Sequence, residues 1–267
     1  MTELLVPARF NGPAASGNGG WTAGTLAGLV HDADHAAGWP PVRITLRRPP
    51  PLDRPLPVSD GVAADDEGVV AAAELVDGPL REVEAVSQDE AAAATASYAG
   101  LRTHPFPTCF ACGPDRAEGD GLRIFPGRVA DDREGRVRVA STWTPHESHA
   151  EDWWFLGSER SERLEGHLYA DDHRRASLAV TWASLDCVGG WAGDLEERPM
   201  VLGRMTARVD ALPVVGERHV VVGGARGGEG RKTFTAAPLY DADGRVVAVA
   251  EHVWIAVDPA AFNRLRG

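Results

Sequence analysis

Two glycine pairs, Gly19-Gly20 and Gly189-Gly190, each followed by tryptophan, stand at apparent helix starts. A helix N-terminus presents unpaired N–H groups and a partial positive charge, and glycine lets a ligand oxygen approach that backbone closely. The pairs read either as donors to a ligand oxygen or as small residues that permit tight packing. Asn18 precedes the first pair and Asp186 the second, and both residue types are also favoured N-caps. Glu196 and Glu197 lie about two turns beyond Gly189, but Arg198-Pro199 follows at once, so they also fit a solvated helix end.

Other groupings are weaker. The run from Gly223 to Lys232 is glycine-rich and carries Arg226, Arg231 and Lys232. It lacks the Gly-Lys-Ser/Thr ending and the following helix of a nucleotide-phosphate loop, so it reads as a hairpin connection. Cys109-x-x-Cys112 offers two thiols where structural zinc takes four ligands. No second such pair follows and Cys187 stands alone; His104 makes a mixed site conceivable, yet two small buried thiols is the simpler reading and no metal is assigned. His167, Asp171, Asp172 and His173 have divalent-ligand chemistry, but they sit in a charged stretch from His146 to Arg175 that reads as an inserted loop. Trp153-Trp154-Phe155 within it fits a lid or a subunit contact.

These residues need elements to hold them. Arg43-Ile44-Thr45-Leu46-Arg47 and Arg204-Met205-Thr206-Ala207-Arg208 are strand-like runs of one pattern, each downstream of a Gly-Gly-Trp, which predicts a duplicated unit. In the first copy the spacing predicts a helix over Gly17–Ala37, with Leu26, Leu29 and Val30 on one face. In the second, a helix is expected from near Asp186 to before Pro199. Strands are expected over Val69–Leu75 and Leu80–Val86, and over Lys232–Tyr240 and Arg245–Val257 around an Asp-Ala-Asp-Gly turn. The last run is too apolar for an edge strand. Ser87-Gln88-Asp89-Glu90 is a capping box that opens an alanine-rich helix to about Leu101.

Composition sets the frame. The 267 residues, 43% hydrophobic, can build one large core or two small ones. The net charge of −12 argues against nucleic acid or an anionic membrane surface as the main partner. Lys232 is the only lysine, a bias that a GC-rich genome explains. No window reaches the apolar length of a membrane span, no secretory signal is recognisable, and an odd count of three cysteines fits a reducing cytoplasm.

Cys109-Phe110-Ala111-Cys112-Gly113-Pro114, Gly121-Leu122-Arg123, Trp182–Cys187, Gly230-Arg231-Lys232 and Leu239–Arg245, with Phe10–Pro13 and Asn18–Trp21 in the first half, resemble double-hotdog acyl-CoA thioesterase-like proteins. The resemblance implies an α+β fold of two hotdog units in one chain, each an antiparallel sheet wrapped around a central helix. The units would span residues 1–105 and 106–267, the second with an insertion near 146–175. It further implies hydrolysis of a thioester, an acyl-CoA or acyl carrier, where the units meet. Asp186 would activate water, with Glu197 as a second carboxylate, and Asn18 would orient the water or the carbonyl. Gly19, Gly20, Gly189 and Gly190 would polarise the carbonyl, while Arg231 and Lys232 would hold coenzyme A phosphates. No cofactor is implied, and a homo-oligomer is. Asp32 and Asp34 lie late in the first helix, so at most one of two pseudo-equivalent sites is equipped. A non-catalytic acyl-binding or scaffolding protein is therefore the alternative. A hydratase ranks last, because no Asp-x₄-His pattern opens a helix.

Overall fold

In the computed structural model, described over residues 2–30, 39–150 and 173–258, two helices lie on one face of a single antiparallel sheet. The first half contributes β1 (Thr2–Leu4), α1 (Gly19–Val30), β2 (Trp39–Leu46), β3 (Leu56–Ser59), β4 (Val62–Asp65) and β5 (Gly68–Leu75). The chain continues through α2 (Gln88–Ala96), β6 (Gly127–Val129), β7 (Arg138–Trp143) and α3 (Leu178–Ala192). It ends with β8 (Met200–Val209), β9 (His219–Glu229), β10 (Lys232–Tyr240) and β11 (Val246–Ala256). The described strands run β1-β3-β4-β5-β2-β8-β11-β10-β9-β7-β6 across the sheet.

The two Arg-x-Thr-x-Arg runs meet at the centre of that order. Arg43 pairs with Thr206, Ile44 with Met205 and Thr45 with Arg204 across the β2–β8 ladder. The same pattern thus faces itself about a local twofold at Ile44 and Met205, both fully buried. Strand alternation explains the pairing: the apolar middle residue points to the helices while Arg and Thr point away.

The Gly-Gly-Trp likeness is a different matter. Gly19-Gly20 opens α1, but Gly189-Gly190 lies in the last turn of α3, whose N-cap is Ser177 with its hydroxyl accepting from the Val180 N–H at 3.2 Å. Asp186 is therefore in the body of α3, not at its start. Every residue of α3 is buried, so hydrophobic periodicity, which needs a solvent-facing side, could not mark where it began.

Glycine sets how closely the helices approach. A Cβ at Gly20 would lie 2.6 Å from Asp186 Cβ and 2.8 Å from the Trp182 carbonyl oxygen. One at Gly24 would lie 2.8 Å from Ala179 Cα. At Gly189 it would meet the His252 ring and Thr235 Oγ1, both at 2.6 Å, so that pair serves helix–sheet packing.

Further differences are local. α1 is described to Val30, and residues 31–37 of the expected helix, with Asp32 and Asp34, lie outside the described residues. Residues 80–86 are not a strand: Tyr240 Oη donates to the Val83 carbonyl at 2.7 Å, and Val83 joins α2 in a small core on the opposite face of β7, β9 and β10. Ser87 caps α2 by accepting from the Glu90 N–H at 3.1 Å, but the helix stops at Ala96 and a short 3-10 turn follows at Ala99–Leu101. β11 sits inside the sheet, between β8 and β10, as its apolar run requires. Trp153-Trp154-Phe155, His167, Asp171 and Asp172 lie outside the described residues.

Candidate active site at the junction of the two halves

Asn18 is the N-cap of α1: its Oδ1 accepts from the Trp21 N–H at 2.8 Å. That bond fixes the amide, so Nδ2 points across the helix pair and donates to Asp186 Oδ2 at 3.0 Å. The Gly20 N–H donates to the same oxygen at 2.9 Å. One carboxylate oxygen is thus anchored by the helix N-terminus of the other half. Asp186 Oδ1 is buried and has no hydrogen-bond partner among the described residues.

Burial pushes Asp186 up to about 7, against the pull of the Gly20 N–H, with the Cys109 sulfur raising it and Asn18 lowering it. A carboxylate poised there can take or give a proton near neutrality. It borders a cavity of about 370 Å³ between the halves. Leu46, Phe106, Leu195, Met200, Leu202 and Trp254 give it apolar walls, while Asn18, Gly19 and Asp186 supply polar groups on its lining. The Gly19 N–H, unlike its neighbours, has no acceptor among the described residues. Arg47, Arg48 and Arg231 border the cavity. Arg48 is engaged by Asp65 and Glu67, whereas Arg47 and Arg231 are exposed.

The segment before β6 closes the cavity. Phe110 N–H donates to the Asn11 carbonyl at 2.7 Å, which ties the Cys-x-x-Cys turn to the first half. Cys109, Cys112 and Cys187 all border the cavity, and Cys109 Sγ lies 3.6 Å from Cys187 Sγ. Donation from the Cys112 and Cys187 thiols lowers the Cys109 thiol well below its usual range.

Of the residues singled out by sequence, Asn18, Gly19, Asp186 and Arg231 border this cavity and Gly20 anchors the carboxylate behind it. Gly189 and Gly190 do not: they face His252 and Trp254 beneath α3, and a helix's last turn offers carbonyls rather than free N–H groups. Glu197 is exposed beyond the end of α3, and Lys232 is exposed at the start of β10; neither borders the cavity. Arg47 and Cys187 were not anticipated there. Arg47 ends a strand run that looks structural, and nothing in the linear sequence brings Cys187 to Cys109.

No family model matches the chain, and no curated protein matches it. Solved structures do. A candidate thioesterase from Novosphingobium aromaticivorans is 12% identical, with a TM-score of 0.56, over 96% of this chain and 95% of that one. The tesB protein MAP1729c of Mycobacterium avium subsp. paratuberculosis is 14% identical, with a TM-score of 0.52, over 96% and 91%. A hot dog protein of unknown function from Alicyclobacillus acidocaldarius is 14% identical, with a TM-score of 0.51, over 96% and 93%. The chain is a double hotdog. At such identities the likeness speaks for the fold, and the chemistry of this double hotdog has to come from its own residues. No helix among the described residues is long and apolar enough to cross a membrane.

Proposed function

We propose that this double hotdog hydrolyses an acyl thioester of the coenzyme A type in the cavity between its halves. The observation that carries the reading is Asp186: one oxygen held by Asn18 and Gly20, the other unpartnered, beside an apolar cavity. The acyl chain lies along the apolar walls and the thioester carbonyl sits at the Gly19 N–H, whose donation stabilises the oxyanion. Asp186 Oδ1 takes a proton from water as its oxygen attacks the carbonyl carbon. Collapse of the tetrahedral intermediate breaks the C–S bond, and the departing thiolate receives the proton from Asp186. Arg47 and Arg231 at the rim take the phosphates. A panel of acyl-CoAs with a thiol-detecting reagent tests this: turnover on at least one chain length is expected, and none on any would overturn it.

A second reading has one observation in its favour. The Gly20 N–H, the donor that a carbonyl would otherwise use, is occupied by Asp186. A cavity that binds the thioester without cleaving it would show calorimetric binding of intact acyl-CoA with no thiol released.

A further inference from the structure

The three thiols form a cluster that neither the fold nor the hydrolytic reading requires. Cys109 and Cys112 come from one turn and Cys187 from α3, yet their sulfurs lie within 4.8 Å of one another and all three are buried. A tetrahedral zinc with Zn–S bonds of about 2.3 Å holds its sulfurs about 3.8 Å apart. The Cys109–Cys187 separation of 3.6 Å already matches that edge. The remaining sulfurs need to move by less than about 1 Å to match it.

The surroundings treat these sulfurs as acceptors. Cys109-x-x-Cys112-Gly113 is a tight turn: the Gly113 N–H donates to the Cys109 carbonyl at 2.8 Å, and a Cβ on Gly113 would lie 2.5 Å from that oxygen. Asn18 Nδ2 faces the Cys109 sulfur at 3.8 Å. His104 Nδ1 accepts from the Phe106 N–H at 2.9 Å, so in the neutral ring Nε2 carries the proton, and it lies 3.3 Å from Cys112 Sγ. His104 is thus a donor to a sulfur rather than a fourth ligand. Such N–H donors are what thiolate ligands recruit around a metal.

We infer that Cys109, Cys112 and Cys187 form a three-thiolate site for Zn²⁺ in the wall of the junction cavity. All three residues border that cavity, so the fourth position of the ion opens into it. Binding deprotonates the three thiols and releases up to three protons to solvent. This site differs from the two-thiol reading of the sequence because the third ligand arrives on a helix 75 positions further on. The inference stands whether or not the cavity hydrolyses thioesters.

The test uses the full chain, as purified and after chelation. Elemental analysis is expected to find one zinc per chain. Titrating the chelated protein with CoCl₂ is expected to give a near-UV sulfur-to-cobalt charge-transfer band of three-thiolate intensity. Cys187→Ser should weaken Zn²⁺ at least tenfold in competition with a chromophoric chelator and reduce the cobalt band to two-thiolate intensity. Should that variant misfold, alkylation of the wild type answers the same question: Zn²⁺ is expected to protect all three thiols from iodoacetamide. No retained zinc together with no charge-transfer band, or protection of only Cys109 and Cys112, would overturn the inference.

Discussion

The side-chain amide of Asn18 and the carboxylate of Asp186 are 168 positions apart in the chain and 3.0 Å apart in space. One residue caps the helix of the first half and the other lies mid-helix in the second, so neither half holds the site alone. The arrangement is also one-sided. Asp186 lies nine residues after the Ser177 cap of α3, and the residue nine after the Asn18 cap of α1 is Ala27. The pseudo-equivalent position in α1 therefore has no carboxylate.

Asp186→Asn is expected to stabilise the fold at pH 8 in chelated protein. The folded carboxyl titrates at about 7 against an ordinary 3.8, so its contribution is intact below about pH 3.8 and lost as pH rises through 7. The amide keeps both anchoring hydrogen bonds and removes a buried charge. Urea unfolding at pH 8 should show a gain of up to about 4 kcal/mol, shrinking at pH 4; an equal effect at both would contradict the burial argument.

Asn18→Ala removes a cap and an anchor together. The cap alone is worth about 1 kcal/mol of stability. A larger effect on kcat than on KM is expected, because Asp186 Oδ2 loses one of its two donors. Asn18→Asp keeps the capping oxygen but sets a second carboxylate against Asp186, so it should restore stability at most and not turnover.

Gly20→Ala and Gly28→Ala separate helix propensity from helix contact. At Gly28 a methyl group meets Leu178 Cδ2 at 3.4 Å, so the change should be neutral or stabilise by up to about 1 kcal/mol. At Gly20 the same methyl group would strike Asp186 Cβ and the Trp182 carbonyl, and a loss of about 1–3 kcal/mol is expected. Paired thermal melts of the two variants measure the difference.

His149 and His252 are buried and neutral, lowered by burial to about 4 and about 3. His146 and Arg9 add to the lowering at His149, and the Leu185 and Thr235 backbones oppose it at His252. The unfolded chain takes these protons first, so their contribution is full above about pH 6.5 and falls as acid is added. Each costs about 2 kcal/mol at pH 5. Asp186 acts with the opposite sign over this range, so the Asp186→Asn background isolates the effect: stability there should fall steadily from pH 7 to 5, and less steeply in His252→Gln.

The central strands were legible: β5, β2, β8, β11 and β10 fall on expected runs, β10 over Lys232–Tyr240, because alternation leaves its period in the residues themselves. The outer strands were not, the run over 80–86 is no strand, and the pairing of Ile44 with Met205 comes from the structure. The start of α3 is not legible, because the helix is buried on all sides and carries no polar face to read. A helix read from Asp186 puts that residue at an N-terminus and Gly189-Gly190 at an oxyanion site, whereas α3 starts after Ser177. Asp186 keeps its candidacy for a reason the sequence does not contain: Gly20 lets the two helices approach until a backbone N–H of one reaches a side chain of the other. The thiol cluster was hidden in a related way, since Cys187 stands beside Cys109 only once α3 has packed against the turn that precedes β6.

The most direct test is the steady-state rate of thiol release from the best acyl-CoA substrate by wild type and Asp186→Asn, each shown to be folded. A group that moves the proton in the transition state is worth about 10²–10⁴-fold, and a loss of that size in kcat with KM little changed is the predicted result. Equal rates in the two proteins would contradict the assignment of Asp186.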